Sequence, residues 1–548
     1  MINIGRLWRT VRPLKAQQVI GRLAFTLVRP RADASPPPAQ RERQGVWVVP
    51  AMREPSLLSA SRLRLLNVER DLDAGGWDDP AADKLWRYNL HYFDDLTARD
   101  AAERSAWQRA FLERWVLENP PGRGTGWEPY PTSLRIVSWI KWFANGTAPA
   151  PAWLHSLAVQ TRWLRRRLEI HLLGNHLFAN AKALVYAGLL FEGPEADEWL
   201  EKGQALLERE LPEQILADGG QFERSPMYHA LAFEDVLDLL NVIAAYRPAS
   251  ARLRTLESSL RQRAPGMLHW LRCMTHADGS PGAFNDAADG VAPSVRELER
   301  YAAQLGIAGA NPSPGLTHLP QSGYVRLARG QAVALLDVAP VGPDYLPGHA
   351  HADTLSFELS LSDRRVVVNG GTSCYGISAE RQRQRGTAAH STVQIAGADS
   401  SEVWSGFRVG RRARPRALAV ESWRVCCSHD GYRFLPGRPE HRRCWQLDSA
   451  ELIVEDEVSA DLPALARYIL APGLRLHQVS ALSWQVRDDE HDCIAHIDIT
   501  QGRGARTSSQ HAPRFGVVLT VECLEVTLVE GRARTRWTWP GHAHSVSH

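Results

Sequence analysis

The stretch LPGHAHADTLSFELSL, residues 346–361, sets two imidazoles and a carboxylate at alternate positions ahead of an apolar run. Side chains of these types at this spacing admit three chemistries. His349, His351 and Asp353 match the donors of a metal cradle; one histidine can move a proton while the other is structural; or all three are the polar entry to a strand. If residues 349–361 are extended, His349, His351, Asp353, Leu355, Phe357, Leu359 and Leu361 share one face. The apolar end of that face must enter a core, which leaves the histidines above it, where a cleft can open. Leu346, Pro347 and Gly348 make the preceding segment a turn.

Three other polar groups stand out against apolar surroundings. GNH (174–176) opens an apolar helix with an amide and an imidazole, groups that cost free energy there unless they are paired or at work, and Lys182 follows seven residues after Asn175 on the same face. QFERSPMYH (221–229) gathers Glu223, Arg224, Tyr228 and His229 behind the turn DGG. RQRQRGTAAHSTV (381–393) places a basic run and His390 before a strand. Two metallohydrolase patterns are excluded. The HxHxDH motif of metallo-β-lactamase-type enzymes needs a histidine where Thr354 stands, and the amidohydrolase HxH belongs to the first strand of a parallel barrel near the N-terminus.

The elements that must position these residues fall into two halves. From about 55 to 310 apolar residues recur at three- and four-residue spacing, in LWRYNLHYFDDL, SLRIVSWIKWF, AWLHSLAVQTRWLRRRL, NHLFANAKALVYAGLLF and FEDVLDLLNVIAAY, which predicts successive helices. The helix beginning at Asn175 is apolar nearly all round and is expected to lie between others. Near residue 320 the period changes to two, and YVRLA, AVALLDV, TLSFELSL, RVVVNGG, STVQIAG, AELIVEDEV, ARYILA, VVLTVECLEVTLV and RTRWTWP read as strands of an antiparallel sandwich. The expected organisation is a short N-terminal helix and a Pro/Arg-rich arm over 1–45, a helical domain over 46–315 and a β-sandwich over 316–548.

Composition excludes several classes. A net charge of +3 on 548 residues gives no reason to expect a nucleic-acid partner. No apolar run reaches the roughly 18 residues of a membrane-spanning helix, and Arg22 interrupts the only candidate for a secretory apolar segment. The seven cysteines, six of them after residue 370 and none in a CxxC pair, are expected to be reduced, mostly buried thiols. A cytoplasmic location is expected, with a periplasmic or membrane-associated one as the alternative.

Taken together and in order, these motifs resemble the heparinase II/III-like polysaccharide lyases. The resemblance spans roughly residues 85–415 and includes LWRYNLHYFDDL, GWEPYPTSLRIVSWIKW, HLLGNHLFANAKALVYAGLLF, DGGQFERSPMYHALAFEDVLDLLN, GPDYLPGHAHADTLSFELSL, VVNGGTSCYG and RGTAAHSTVQIAG. It implies an incomplete (α/α) toroid followed by an antiparallel β-sandwich, and β-elimination at a uronic acid of an acidic polysaccharide. Asn175 matches the neutraliser of the uronate carboxylate, with His176 beside it; Tyr228 matches the catalytic tyrosine; His349 matches the sandwich-borne histidine that acts as base or acid. Glu223, Arg224 and His229 are expected to orient these groups. Tyr88, His91, Tyr92, Trp127, Tyr130 and Arg135 are candidates to stack on sugars or pair with carboxylates. Arg381, Arg383, Arg385, Arg408, Arg411 and Arg412 suit a polyanionic chain. In relatives a second histidine, an acidic residue and a later histidine bind a structural zinc. The matching residues are His351, Asn369 and His390, with an amide where metal-binding relatives carry an aspartate. The resemblance also motivates a link to bacterial capsule or exopolysaccharide production. Two rival readings stay open: a uronide hydrolase, which needs paired carboxylates, and a non-catalytic glycan-binding or assembly factor. Oligomeric state is not fixed by the sequence.

Overall fold

The computed structural model describes residues 4–247 and 250–540, so residues 1–3 of the expected arm and 541–548 of the expected sandwich domain lie outside the described residues. Two helices, Ile4–Val11 and Ala16–Leu27, lead into an extended segment that pairs Ala39–Gln40 with Phe191–Glu192. An (α/α) toroid follows. At its centre Gly174–Leu190 packs against Pro129–Ala144, Pro151–Arg166, Pro194–Gln214 and Pro226–Tyr246. Every residue of that central helix from Leu177 onward is buried, as expected for a helix without a polar face. Small residues permit the crowding: a Cβ on Gly188 would stand 2.7 Å from Leu200 Cβ of the neighbouring helix.

The toroid's helices end with Val295–Gln304, and the first sandwich strand is Gly315–Leu319. One sheet carries Phe357–Leu361 and Arg364–Val368 in its middle, flanked on one side by Ala332–Asp337 and Tyr324–Arg329 and on the other by Ala464–Leu470 and Val517–Thr527. The second, eight-stranded sheet includes Arg424–His429, His441–Leu447 and Glu451–Val458. Strand pairing throughout both sheets is antiparallel, and their inner faces share one apolar core.

Three expectations need correction. Residues 349–356 are not extended: the strand begins at Phe357, and Leu355 takes a left-handed φ of 62°. The alternation argument for His349 and His351 therefore fails, and a loop presents them instead. The basic run 381–385, expected to suit a polyanionic chain, forms the helix Ala379–Arg385, with Arg381 and Arg385 fully buried. Finally, Cys426 and Cys444 are joined; strand register sets them directly opposite each other, which sequence spacing cannot reveal.

The second sheet also braces the loops of the first. Arg443, fully buried, pairs through Nε and Nη2 with Asp456 and donates through Nη1 to Leu355 O (2.9 Å) and Ser391 O (2.8 Å). Burial would raise the Asp456 carboxyl, but Arg443 and then His441 bring it down to about 2. Arg443→Ala strands that carboxylate in the interior, and the expected loss is about 3–5 kcal/mol, read as a lowered unfolding midpoint in denaturant. An unchanged midpoint would show that Asp456 does not depend on this partner.

Candidate active site

Two helix starts and two loops build the site. The helix Gly174–Leu190 is launched by consecutive left-handed residues, Leu173 (φ 63°) and Gly174 (φ 54°). Leu173 pays in strain, of order 1–3 kcal/mol, and Gly174 has no room for more: a Cβ there would approach Leu346 to 2.5 Å and Glu223 Oε1 to 3.1 Å. This kink turns Asn175 and His176 out of the buried helix. Asn175 shares the wall of one cleft with Tyr130. The His176 ring stacks near Tyr130 (4.4 Å between centroids) and its Nδ1 lies 3.0 Å from Glu169 Oε1. Burial opposes charging of His176, but Glu169 outweighs it and raises the imidazole above its ordinary value.

The second helix, Pro226–Tyr246, has proline at its first position and Ser225 as its N-cap, accepting from the Tyr228 backbone N–H at 3.2 Å. The same hydroxyl donates to the carbonyl of Asp286. Tyr228 is thereby fixed in the first turn and tied to the loop that carries Asp286. Its hydroxyl lies 2.9 Å from that of Tyr375, and its ring lies against His349, tilted by 30°, with centroids 3.9 Å apart. Burial first, then Tyr375 and Asp286, holds the Tyr228 phenol well above its ordinary value.

Asp286 is the anchor. Its carboxylate meets His349 Nδ1 and His351 Nε2, each at 2.8 Å, and both ends of the Arg381 guanidinium, while Thr372 Oγ1 donates at 3.3 Å. Its backbone N–H donates to His349 O (3.0 Å). Burial would raise this carboxyl; Arg381 and the two imidazoles hold it well below the carboxylate range. Asn285 adds a second tie, donating to Arg224 O (2.9 Å) and accepting from the His351 backbone N–H (3.1 Å). The Asp286 contact makes Nδ1 the protonated nitrogen of His349 and leaves Nε2 with its lone pair, 3.7 Å from Glu223 Oε2.

Tyr228, Tyr375, Asn175, Tyr130 and Tyr92 line one cleft of about 130 Å³ where the toroid meets the sandwich. Lys141 and Lys182 stand at its wall, paired with acidic residues of the Pro226–Tyr246 helix. The geometry thus brings together Asn175, His176, Tyr228 and His349, with Glu223 at their side. Asp286, Asn285 and Tyr375 were not foreseen. The segment FNDAADG has no period and no motif, so only the fold reveals that its Asp286 faces residues more than sixty positions away.

Other expected ligands of sugar are elsewhere. His91 accepts from Trp115 Nε1 at 3.0 Å and stacks on Trp77, buried; Trp127 is core; Arg135 lies over the Trp115 ring, bonded to Gln160. Tyr88, half-buried, donates to Glu128. His229 is sealed between Gln221 N and Met267 O, and burial pushes it down to about 4. Arg224 is spent on Ser322 O, and its backbone takes a left-handed φ of 61°. Arg385 donates to Ala350 O and Gly406 O, fastening the histidine loop from behind, and Arg383 pairs with Glu380. Long polar side chains in this domain were drawn inward by unsatisfied carbonyls, which sequence position does not disclose.

The expected zinc set does not fit the metal. His351 Nδ1 faces His390 Nε2 at 3.3 Å, but the Asn369 amide is committed, its oxygen accepting from Ser391 N (3.1 Å) and its nitrogen donating to Ser356 Oγ (3.3 Å). Two neutral imidazoles and an engaged amide lack the anionic ligand this set would need. Among the described residues no group of three His, Cys, Asp or Glu side chains is placed to hold a metal.

A toroid joined to a sandwich, with tyrosine, histidine and asparagine at their junction, defines a class of protein, and comparison gives the family. Residues 69–304 match the family model Heparinase II/III N-terminus, and residues 311–538 match Heparinase II/III-like, C-terminal. The chain belongs to the heparinase II/III-like family. It is similar to a heparin-sulfate lyase of Pedobacter heparinus, 25% identical over 369 residues that make up 60% of this chain and 54% of that protein. A heparin-sulfate lyase of Bacteroides stercoris is 23% identical over 383 residues, 60% of this chain and 56% of that one. The chain thus spans about half the length of the curated relatives it matches. Among solved structures, that of heparinase III superposes with a TM-score of 0.67 at 16% identity, covering 98% of this chain and 86% of the other. A heparan sulfate lyase from Pedobacter heparinus gives 0.55 at 19%, covering 85% and 79%. These likenesses show a shared fold.

The Asp286 clasp has a pH signature. Its folded pKa lies below the unfolded one, so its stabilisation is complete above the ordinary carboxylate range and is lost as pH falls through the depressed value. Asp286→Asn leaves Arg381 buried without its counter-charge and is expected to lose about 3 kcal/mol or more at neutral pH. Unfolding measured over a pH series should show a gap between wild type and variant that is constant above the ordinary carboxylate range and narrows progressively below it. A small gap, or one unchanged across the whole acid limb, would overturn this assignment.

Proposed function

We propose that the chain is a polysaccharide lyase that cleaves an acidic, uronic-acid-containing glycan by β-elimination. The observation that carries this reading is the contact of Tyr228 with His349 beside the cleft that Tyr228 shares with Asn175, with His349 oriented from behind by Asp286. Elimination needs the uronate carboxylate neutralised, a base at C5 and an acid at O4. Asn175 donates its amide to the carboxylate, and His176, raised by Glu169, adds a second donor. With that charge offset, His349 Nε2 takes the C5 proton; the C5–H electrons form the C4–C5 double bond as the C4–O4 bond breaks. Tyr228, kept as a phenol by burial, gives its proton to O4. No water is incorporated. Asp286 and Glu223 stabilise the imidazolium that results.

With the two rings in contact, both protons move on one side of the sugar in this reading. That suits a uronate whose C5 hydrogen and C4 oxygen lie on the same face, as in glucuronate, rather than its C5 epimer. The names of the relatives, which speak of heparin sulfate, support the acidic-glycan class. A place in bacterial capsule or exopolysaccharide production, with cytoplasmic or membrane-side action, belongs to the same proposal.

The test is a panel of glucuronate- and iduronate-containing polymers followed by the ultraviolet absorbance of unsaturated ends. Absorbance should rise on a glucuronate polymer, and Tyr228→Phe or His349→Ala should each lower kcat by about 10²–10⁴-fold without changing the unfolding midpoint appreciably. Chain cleavage without absorbance would replace the lyase with a hydrolase. Binding without cleavage, unaffected by either substitution, would favour a glycan-binding factor.

A further inference from the structure

The two N-terminal helices are built inside out. A surface helix normally turns its apolar stripe to the core. In Ile4–Val11 the polar side faces the body: Arg6 and Arg9 pair with Glu402, and Thr10 Oγ1 accepts from Trp404 Nε1 at 3.2 Å. The opposite stripe, Ile4, Leu7, Trp8 and Val11, faces out, with Ile4 81% and Trp8 64% exposed. Ala16–Leu27 repeats the pattern. Gln18 donates to Tyr345 O, and Phe25 rests on His171 beneath the Arg167 guanidinium. On its far side Val19, Ile20, Leu23 and Leu27 stand in solvent, Leu27 at 79%. Ten of the twenty-three large apolar side chains exposed among the described residues fall within 4–28. Such a concentration marks an interaction face.

Charge says what covers it. Residues 4–32 carry seven basic side chains and no acidic one. Beside Trp8 the surface continues as a groove lined by Arg9, Arg12, Arg411, Arg412 and Arg414, with Asp344 as its one carboxylate, paired to Arg412. A second copy of the chain docked symmetrically would bring these arginines against one another. A sugar polymer would meet the arginines but leave the aliphatic stripes wet. An anionic bilayer surface satisfies both, since aliphatic side chains enter the headgroup boundary while arginines meet lipid phosphates. We propose that Ile4–Val11 and Ala16–Leu27, with the adjoining arginine groove, form a docking face that holds the protein on the surface of an anionic membrane without crossing it.

Co-sedimentation of the full chain with vesicles tests this, using pure phosphatidylcholine against an equal mixture of phosphatidylcholine and phosphatidylglycerol. Wild type should partition at least about tenfold more strongly onto the anionic vesicles, and added salt should weaken it. The exposed pair Ile20→Glu with Leu23→Glu should lose at least about tenfold of that binding, and Arg12→Gln with Arg22→Gln should reduce it. Circular dichroism and cleavage of soluble polymer should be unchanged in both variants, which separates this proposal from the catalytic one. Equal or absent binding on the two vesicle types would overturn it. So would a glutamate pair that binds like wild type, or a wild-type dimer in sedimentation velocity that the glutamate pair dissolves.

Discussion

One buried carboxylate organises this molecule. Asp286 lies on a toroid loop, and nearly all of its partners lie in the other half of the chain: His349, His351, Thr372 and Arg381. A lone carboxylate in such a place would cost several kcal/mol in desolvation and would protonate instead. The guanidinium and imidazole donors offset that cost only when the two halves are docked. The clasp is therefore a condition of docking as well as a result of it, and the same contact fixes which nitrogen of His349 keeps its lone pair. Domain assembly and the choice of imidazole tautomer meet at a single pair of oxygens.

The architecture was legible because periodicity is written along the chain. Apolar spacing changes from helical to alternating where helices give way to strands, and GNHLFANAKAL reads as buried because it lacks a polar face. The site was legible only where a residue sits in a distinctive local run. Asn175, Tyr228 and His349 could be singled out through family resemblance, and geometry gathers them. Asp286 and Tyr375 could not, because what distinguishes them is a partner far off in sequence. The alternating face drawn through His349 and His351 was the wrong local structure for neighbours that do converge. Both imidazoles reach Asp286, but from a loop held in place by Asn285 and Arg385.

Polar residues that look like ligands in a sequence are often answers to packing. Arg135, Arg385, His91 and His229 all had plausible substrate roles, yet each is enclosed and engaged by carbonyls, amides or rings of the protein itself. A long side chain near a motif competes between solvent, substrate and the nearest orphaned carbonyl, and the carbonyl wins whenever the backbone is irregular. The loop 349–356 is irregular, so it recruits arginines. Its Asn369 neighbour shows the same logic: an amide used to hold Ser391 and Ser356 is structurally useful where it would be a poor metal ligand.

Two departures from ordinary solvation stand at different places in the fold. At the clasp, charges are buried; on the N-terminal helices, aliphatic side chains are exposed. Each would be a defect if stability alone shaped the sequence, since a buried ion pair is seldom worth more than an apolar replacement and a solvated leucine stripe contributes nothing to a core. Departures of this kind are expected where a surface is shaped for something outside the chain. The buried charges orient the His349 imidazole against Tyr228, while the exposed stripe is backed by arginines and faces away from the protein. On the readings proposed for each, the first departure serves a small polar ligand and so needs enclosure. The second serves an extended fluid surface and so must remain open.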